Sequence, residues 1–222
     1  YDKALLQEVV EVAREHGLVV FSDEIYDKIL YDEAQHTSIA SLADDVFFVT
    51  FGGLSKNYRV AGFRSGWLVV SGNKRLASDY IDGLNILSSM RMCANVPCQS
   101  AIQTALGGYQ SINDLVNENG RLRIQRDVTT DMLNGIDGIS CVKPKGAMYC
   151  FAKVDEKKFN IHNDEQMVLD LLSSEKILLV HGRAFNLTEG TYFRLVFLPH
   201  SDVLVPALHR IGNFFRTYKQ GA

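Results

Sequence analysis

Apolar positions follow a helical period near the start of the chain and then form short unbroken runs. The helical period is carried by six residues: Leu5, Leu6, Val9, Val10, Val12 and Ala13. This spacing predicts an amphipathic helix that Gly17 ends in a left-handed conformation. The runs at 18–21, 46–51 and 67–70 are almost entirely apolar. They predict strands of a parallel sheet that helices cover on both faces.

The middle of the chain returns to helical spacing. Residues 74–87 and the segment from Pro97 to Gly107 both have the pattern of helices. Residues 112–136 form a long, polar-rich stretch that is interrupted at Gly120. We predict one helix in this stretch, and we expect it to join two domains.

The pattern changes after Gly138, where short apolar runs alternate with helical stretches. The predicted strands are 139–142, 147–151, 177–180 and 192–198, and the predicted helices are 164–173 and 203–218. The whole order predicts an α/β fold with a mainly parallel sheet and flanking helices, followed by a small α+β domain. We place the first part at residues 1–110, the connecting helix at 111–136 and the small domain at 137–222.

Composition restricts the possible functions. The chain has 222 residues, 46% of them hydrophobic, and a net charge of -3. We expect neither nucleic acid nor a membrane as a partner, because there is no block of basic residues and no apolar run of bilayer length. The four cysteines and six histidines have no metal-binding spacing, so we expect no metal site. Unpaired cysteines favour a cytoplasmic location.

Candidate chemistry begins at Asp23, which follows the first apolar run. Ligands bind beyond the carboxyl ends of strands in such sheets, and a carboxylate there can keep a pyridine nitrogen protonated. Tyr26 lies three residues later and can donate a hydrogen bond to a phenolate oxygen on the same ring. Either residue could instead be structural, Asp23 as a turn cap and Tyr26 as a packed aromatic.

Two cations follow the second apolar run. Lys56 comes after Gly52-Gly53, and a neutral lysine amine can form a Schiff base with an aldehyde. Arg64 lies eight residues later between glycines, where a guanidinium can bind a phosphate dianion. A solvated loop lysine and a surface arginine are the alternatives.

A third cation, Arg194, interrupts a late strand of apolar and aromatic residues. A charge in such a strand needs a partner. A substrate α-carboxylate would pair with the guanidinium in a bidentate manner, and an Asp or Glu from elsewhere in the chain would serve equally well.

Taken together, these residues carry a family resemblance. The run from Ser22 to Tyr26 and the block from Ser55 to Trp67 resemble the second half of a class I/II aminotransferase, a pyridoxal 5'-phosphate enzyme of the aspartate aminotransferase superfamily. The resemblance covers essentially the whole chain. It implies that residues 1–110 are the second half of the large cofactor-binding domain.

The resemblance also implies roles for individual residues. Lys56 would form the Schiff base with the cofactor and act as the catalytic acid and base. Asp23 would pair with the pyridine nitrogen, Tyr26 with the 3′ oxygen and Arg64 with the phosphate, to which Ser55 would add a hydroxyl. Arg194 would bind the α-carboxylate of the substrate.

One position departs from the family pattern. Many relatives carry Ser or Thr three residues before the lysine, where this chain has Gly53. The phosphate would then depend more on Ser55, Arg64 and other loops.

The segment from Asn95 to Tyr109 resembles the subgroup that exchanges amino groups between glutamate and pyruvate. The expected activity is therefore transamination between an amino acid and a 2-oxo acid. The same segment is also compatible with a helix at a subunit interface, and the two interpretations do not exclude each other. A homodimer is expected for the full-length enzyme. A lyase or decarboxylase on the same scaffold, and a non-catalytic ligand-binding module, are the alternatives.

Tyr1 is not a start methionine, and the helical period begins almost at once. We therefore expect the chain to be the later half of a longer protein. The resemblance implies that the earlier half supplies part of the cofactor site. By itself the chain is expected to be inactive, to expose apolar sheet surface and to associate.

Overall fold

The computed structural model describes residues 1–221. They divide into two compact units. Unit 1 contains residues 1–30 and 34–112, and unit 2 contains residues 31–33 together with the chain from residue 113 onward. Unit 2 is therefore discontinuous in sequence.

Unit 1 combines three helices with a three-stranded sheet. In chain order its elements are α1 (Lys3–Glu15), β1 (Val19–Asp23), β2 (Phe47–Gly53), β3 (Gly66–Gly72), α2 (Ser78–Arg91) and α3 (Val96–Gly107). Short 3-10 turns lie at Ile39–Ser41, Ala61–Phe63 and Lys74–Ala77.

Local sequence explains both ends of α1. The Asp2 carboxylate accepts a hydrogen bond of 2.9 Å from the Leu5 backbone N–H, so it caps the N-terminus. At the other end Gly17 has a φ of 59°, and the Leu18 N–H reaches the Ala13 carbonyl at 2.8 Å. This is the Schellman arrangement, so the predicted left-handed glycine is confirmed.

The sheet has the order β1-β2-β3. β1 runs parallel to β2, with Asp23 opposite Phe51, and β3 runs antiparallel to β2, with Gly53 opposite Gly66. The ends of β1 and β2 and the start of β3 therefore lie at one edge of the sheet. The predicted α/β class is confirmed, and the three described strands of unit 1 form a mixed sheet.

The core of unit 1 lies between α1 and the sheet. It includes Val10 and Ala13 of α1, Val46, and Phe48 of β2. The expectation that β1 is buried on both faces is wrong within the described residues, because Val19 is 43% exposed and Phe21 57% exposed. β1 is an edge strand that pairs with β2 alone in this part of the chain.

Unit 2 packs helices on an antiparallel sheet of order β4-β5-β7-β6. Its strands are β4 (Ile139–Cys141), β5 (Tyr149–Val154), β6 (Val180–His181) and β7 (Thr191–Val196). Its helices are α4 (Asn113–Val116), α5 (Arg121–Asn134), α6 (Glu156–Phe159), α7 (Asp164–Glu175) and α8 (Ser201–Thr217), with a 3-10 turn at Gly182–Phe185. No helix within residues 1–221 has both the length and the apolar character needed to cross a membrane.

The stretch predicted as one helix from 112 to 136 is two helices, α4 and α5. Gly120 separates them in an extended conformation, with φ of -71° and ψ of 138°. A Cβ at this position would lie 2.3 Å from the Leu115 carbonyl oxygen. The glycine therefore allows the chain to pass close to the end of α4 before α5 begins.

A buried arginine, Arg126, lies at the centre of a cluster of charged and aromatic side chains in unit 2. The Arg126 side chain is 1% exposed and donates to both carboxylate oxygens of Asp32, at 2.7 and 3.2 Å. Its Nε donates to Asp127 at 2.8 Å, and its guanidinium lies 4.6 Å from the centre of the Tyr31 ring. These contacts offset the cost of removing the charge from water.

This cluster predicts an acid-sensitive stability. Hydrogen bonding from Arg126 lowers the pKa of the Asp32 carboxyl group below its usual value. A lowered pKa contributes stability that is fully present above the unfolded-state pKa of about 4. This contribution is lost as the pH falls from there through the lower pKa of the folded state. We expect Arg126→Met to lower the free energy of unfolding by about 2 kcal/mol at neutral pH, because it removes charge-assisted hydrogen bonds to Asp32 and Asp127.

Urea denaturation at neutral and acidic pH measures both effects. Arg123→Met is the matched control, since Arg123 also pairs with Asp32, at 3.0 Å, but from a more exposed position. Equal losses in the two variants would contradict the role assigned to the buried arginine.

Candidate active site

The candidate site lies at the edge of unit 1 where β1 and β2 end and β3 begins. Asp23 is the last residue of β1. One of its carboxylate oxygens accepts a hydrogen bond of 3.2 Å from the Ile25 N–H. Its side chain forms no ion pair with any residue in 1–221, so the carboxylate remains available to a cationic ligand group.

Tyr26 lies in a tight turn that directly follows Asp23. The Asp27 N–H donates to the Glu24 carbonyl at 3.1 Å, and the Glu24 N–H donates to the Phe51 carbonyl of β2 at 3.0 Å. The turn is thus attached to the end of the neighbouring strand.

Glu24 is a supporting residue that the sequence reasoning did not identify. Its carboxylate accepts from the hydroxyls of Ser22 at 3.0 Å and Ser38 at 2.9 Å, and it contacts the His36 Nε2 at 3.0 Å. It therefore fixes the segment between Asp23 and Tyr26. Its place in the acidic pair Asp23-Glu24 was the available signal, but two of its three partners, His36 and Ser38, lie more than ten residues away in sequence.

Lys56 lies on a loop that closes on itself. The Leu54 N–H donates to the Ser65 carbonyl at 3.1 Å, and the Val60 N–H donates to the Leu54 carbonyl at 3.3 Å. The Lys56 Nζ lies 5.9 Å from the centre of the Tyr26 ring. The structure thus brings together the predicted amine and the predicted phenol from different strand ends.

Arg64 lies at the other end of the same loop. Its backbone has a φ of 52°, a left-handed conformation that is uncommon for arginine. Its Nη1 donates to the Ala61 carbonyl at 2.9 Å. The guanidinium is exposed and pairs with no carboxylate among the described residues. It is therefore a cation that an anionic ligand can reach.

Glycines allow the backbones to approach closely at this edge. A Cβ on Gly52 would lie 2.5 Å from Nε1 of Trp67. A Cβ on Gly53 would lie 3.2 Å from Cδ1 of Ile25 and 3.3 Å from Cα of Gly66. A serine or threonine at position 53 would therefore press on β3 and on the Tyr26 turn. Ser55 is half-buried in the adjoining loop.

Arg194 lies on β7 in unit 2, whereas the other predicted site residues lie on unit 1. Its guanidinium is 4.6 Å from the ring centres of both Tyr149 and Phe185. The Nε is buried and has no hydrogen-bond partner within residues 1–221. Neither an Asp nor a Glu of this part of the chain pairs with it. The alternative of an internal acidic partner is therefore not observed.

A comparison with protein families decides the relationship. The sequence model of the family described as aminotransferase class I and II matches residues 1–211. The chain belongs to this family.

Individual aminotransferases agree with this assignment. The chain is 58% identical over 220 residues to a glutamate-pyruvate aminotransferase, AlaA, from Haemophilus influenzae, covering 99% of this chain and 54% of that protein. It is 53% identical over 220 residues to an alanine aminotransferase from Mycobacterium tuberculosis, covering 99% of this chain and 51% of that protein.

Solved aminotransferase structures have the same fold. An aminotransferase from Escherichia coli matches with a TM-score of 0.97 and 56% identity, over 100% of this chain and 55% of that one. An alanine aminotransferase from Pyrococcus furiosus matches with a TM-score of 0.89 and 34% identity, over 97% of this chain and 54% of that one. The chain thus spans about half the length of the aminotransferases that it matches.

Proposed function

We propose that the whole protein transfers an amino group between an amino acid and a 2-oxo acid, with pyridoxal 5'-phosphate as cofactor. The main support is the placement of Lys56 beside Tyr26, at the sheet edge that also carries Asp23. The names of the relatives further favour alanine and pyruvate with glutamate and 2-oxoglutarate as the substrate pairs.

The side chains at this edge fit such a cofactor in chemical type. The exposed carboxylate of Asp23 and the guanidinium of Arg64 lack charged partners among residues 1–221, and the cofactor carries a basic ring nitrogen and a phosphate. Tyr26 offers a phenol, Ser55 a hydroxyl and Lys56 a primary amine. We propose that these five residues hold the cofactor.

When bound, pyridoxal phosphate supplies an electron sink that stabilises negative charge at the substrate Cα. The chain itself supplies the proton transfer. The Lys56 amine is the group that removes and returns a proton, and its Nζ lies 5.9 Å from the centre of the Tyr26 ring. Asp23 stabilises a positive charge at the strand end, because a carboxylate favours a protonated partner.

Arg194 is proposed to bind the α-carboxylate of the substrate. The aromatic rings of Tyr149 and Phe185 hold the guanidinium at a defined place, and its buried Nε still lacks an acceptor within the described chain. A carboxylate that pairs with two guanidinium N–H groups would satisfy this donor.

We also propose a domain organisation and an assembly. Residues 1–110 would be the second half of the large cofactor-binding domain, residues 111–136 the connection, and residues 137–222 the small domain. A cytoplasmic homodimer is proposed, because the cysteines are free and α2 and α3 expose apolar residues. The exposed apolar residues are Ile86, Leu87, Met90, Val96 and Leu106.

The test of function is a product analysis of the purified whole protein with L-alanine and 2-oxoglutarate. We expect pyruvate and glutamate to form in equal amounts, and we expect alanine alone to change the absorbance of the bound cofactor. Release of carbon dioxide or ammonia without glutamate would favour a decarboxylase or lyase instead. Failure to bind the cofactor would favour a non-catalytic module.

A further inference from the structure

Asn57 follows Lys56 directly but is far more deeply buried. It is 5% exposed, whereas Lys56 is intermediate in exposure. Its side-chain amide donates a short hydrogen bond to Oδ1 of Asp27. The two residues are 30 positions apart, so this contact joins two loops that follow different strands.

The two loops are those that carry the proposed catalytic groups. Asp27 follows Tyr26 and belongs to the turn that begins at Asp23. Asn57 follows Lys56 within the loop that Leu54 and Ser65 close. The Asp27–Asn57 hydrogen bond therefore joins the residue that follows Tyr26 to the residue that follows Lys56.

Nothing else in the described chain holds the Asn57 side chain by hydrogen bonding. Its Oδ1 is buried without a partner, as are the Thr50 hydroxyl and the Tyr58 hydroxyl. These residues line a small cavity of about 90 Å³ that also borders Asp27. Loss of the contact with Asp27 would leave the amide free to turn within this space.

We propose that Asp27 and Asn57 act together as positioning residues that fix Lys56 relative to Asp23 and Tyr26. This inference rests on the proposed function. Neither residue is assigned contact with the substrate or the cofactor. The physical reason is that small displacements of a reacting group, of about 1 Å, can slow a reaction by roughly 100-fold.

The variants that test the proposal are Asn57→Ala, Asp27→Ala and the double variant. We expect each single change to lower kcat by about tenfold while KM changes less than about threefold, because orientation rather than binding is lost. The double variant should be no slower than the worse single variant, since both changes remove the same hydrogen bond. Asp27→Asn keeps an acceptor oxygen, so its kcat should stay within about threefold of the wild-type value.

A second readout does not depend on activity. Hydrogen–deuterium exchange of the cofactor-free protein should be faster by about tenfold in residues 22–29 and 54–65 when either partner is replaced by alanine. Thr50→Val is the matched control. It changes the same cavity but removes a hydroxyl that has no partner in residues 1–221, so both kcat and exchange should remain at wild-type values.

Additive effects in the double variant, or unchanged exchange in both loops, would overturn the proposal. So would a tenfold loss of kcat in Thr50→Val, because the effect would then belong to the cavity rather than to the hydrogen bond. If the wild-type protein forms no glutamate from alanine and 2-oxoglutarate, the proposed function fails. The exchange measurement still decides in that case whether the pair holds the two loops together.

Discussion

Replacing Lys56 with alanine is expected to slow transamination by about 100- to 10,000-fold, because the variant has no amine to remove and return the proton. The cofactor should still bind through the remaining charged and polar groups, which are Asp23, Tyr26, Ser55 and Arg64. Steady-state turnover with alanine and 2-oxoglutarate measures the first effect. Equilibrium dialysis with pyridoxal phosphate measures the second.

To show that this loss is specific to Lys56, the control variant replaces a lysine of the same unit that lies away from the candidate site. Lys74→Ala is suitable, since Lys74 is exposed in a 3-10 turn beyond the end of β3. Its turnover should match that of the wild type. If the Lys56→Ala variant retains more than about a tenth of wild-type turnover, Lys56 is not the acid and base, because removing a general base typically costs at least 100-fold.

Replacing Arg194 with alanine is expected to lower kcat/KM by roughly 100-fold or more. Two charge-assisted hydrogen bonds to a carboxylate are together worth about 3 kcal/mol or more, and each 1.4 kcal/mol is tenfold. Most of the loss should appear in KM for both the amino acid and the 2-oxo acid, because both carry the same α-carboxylate. Cofactor affinity should not change.

Arg194→Lys is expected to recover little of this loss. Lysine keeps the charge but cannot form a planar, bidentate pair or stack in the same way between Tyr149 and Phe185. Arg183→Ala is the control within the same unit, because Arg183 is exposed and pairs with Asp164. A normal KM in the Arg194→Ala variant would exclude Arg194 from substrate binding.

Local patterns were sufficient for the types of most elements. The apolar run at 18–21 corresponds to β1, which starts one residue later and ends two residues later, and Gly17 ends α1 as its position predicted. Helix spacing and strand runs are properties of neighbouring residues, so a single sequence contains them. The chemical types of the candidate site were visible for the same reason, as Asp23 and Lys56 each follow an apolar run in the sequence.

Features that depend on distant residues could not be predicted in this way. The antiparallel direction of β3 is set by pairing with β2, and the exposure of Phe21 depends on which strands lie beside β1. The contact between Asp27 and Asn57 joins two unrelated loops, and neither residue type signals it. A polar residue that follows a candidate catalytic residue is usually solvated. The burial of Asn57 is what shows that it has a structural contact, and only the structure gives that burial.

Tyr31, Asp32 and Glu33 belong to unit 2, although most of unit 1 follows them in the sequence. This arrangement affects how the chain can be divided by a protease and the order in which unit 2 is synthesised. Tyr31 is fully buried there and Asp32 neutralises Arg126, yet both are synthesised long before α5 leaves the ribosome. A protease cut after residue 112, followed by separation of the pieces, would take the carboxylate away from its arginine. The contiguous stretch from residue 113 onward therefore lacks one of the two carboxylates that pair with its buried arginine.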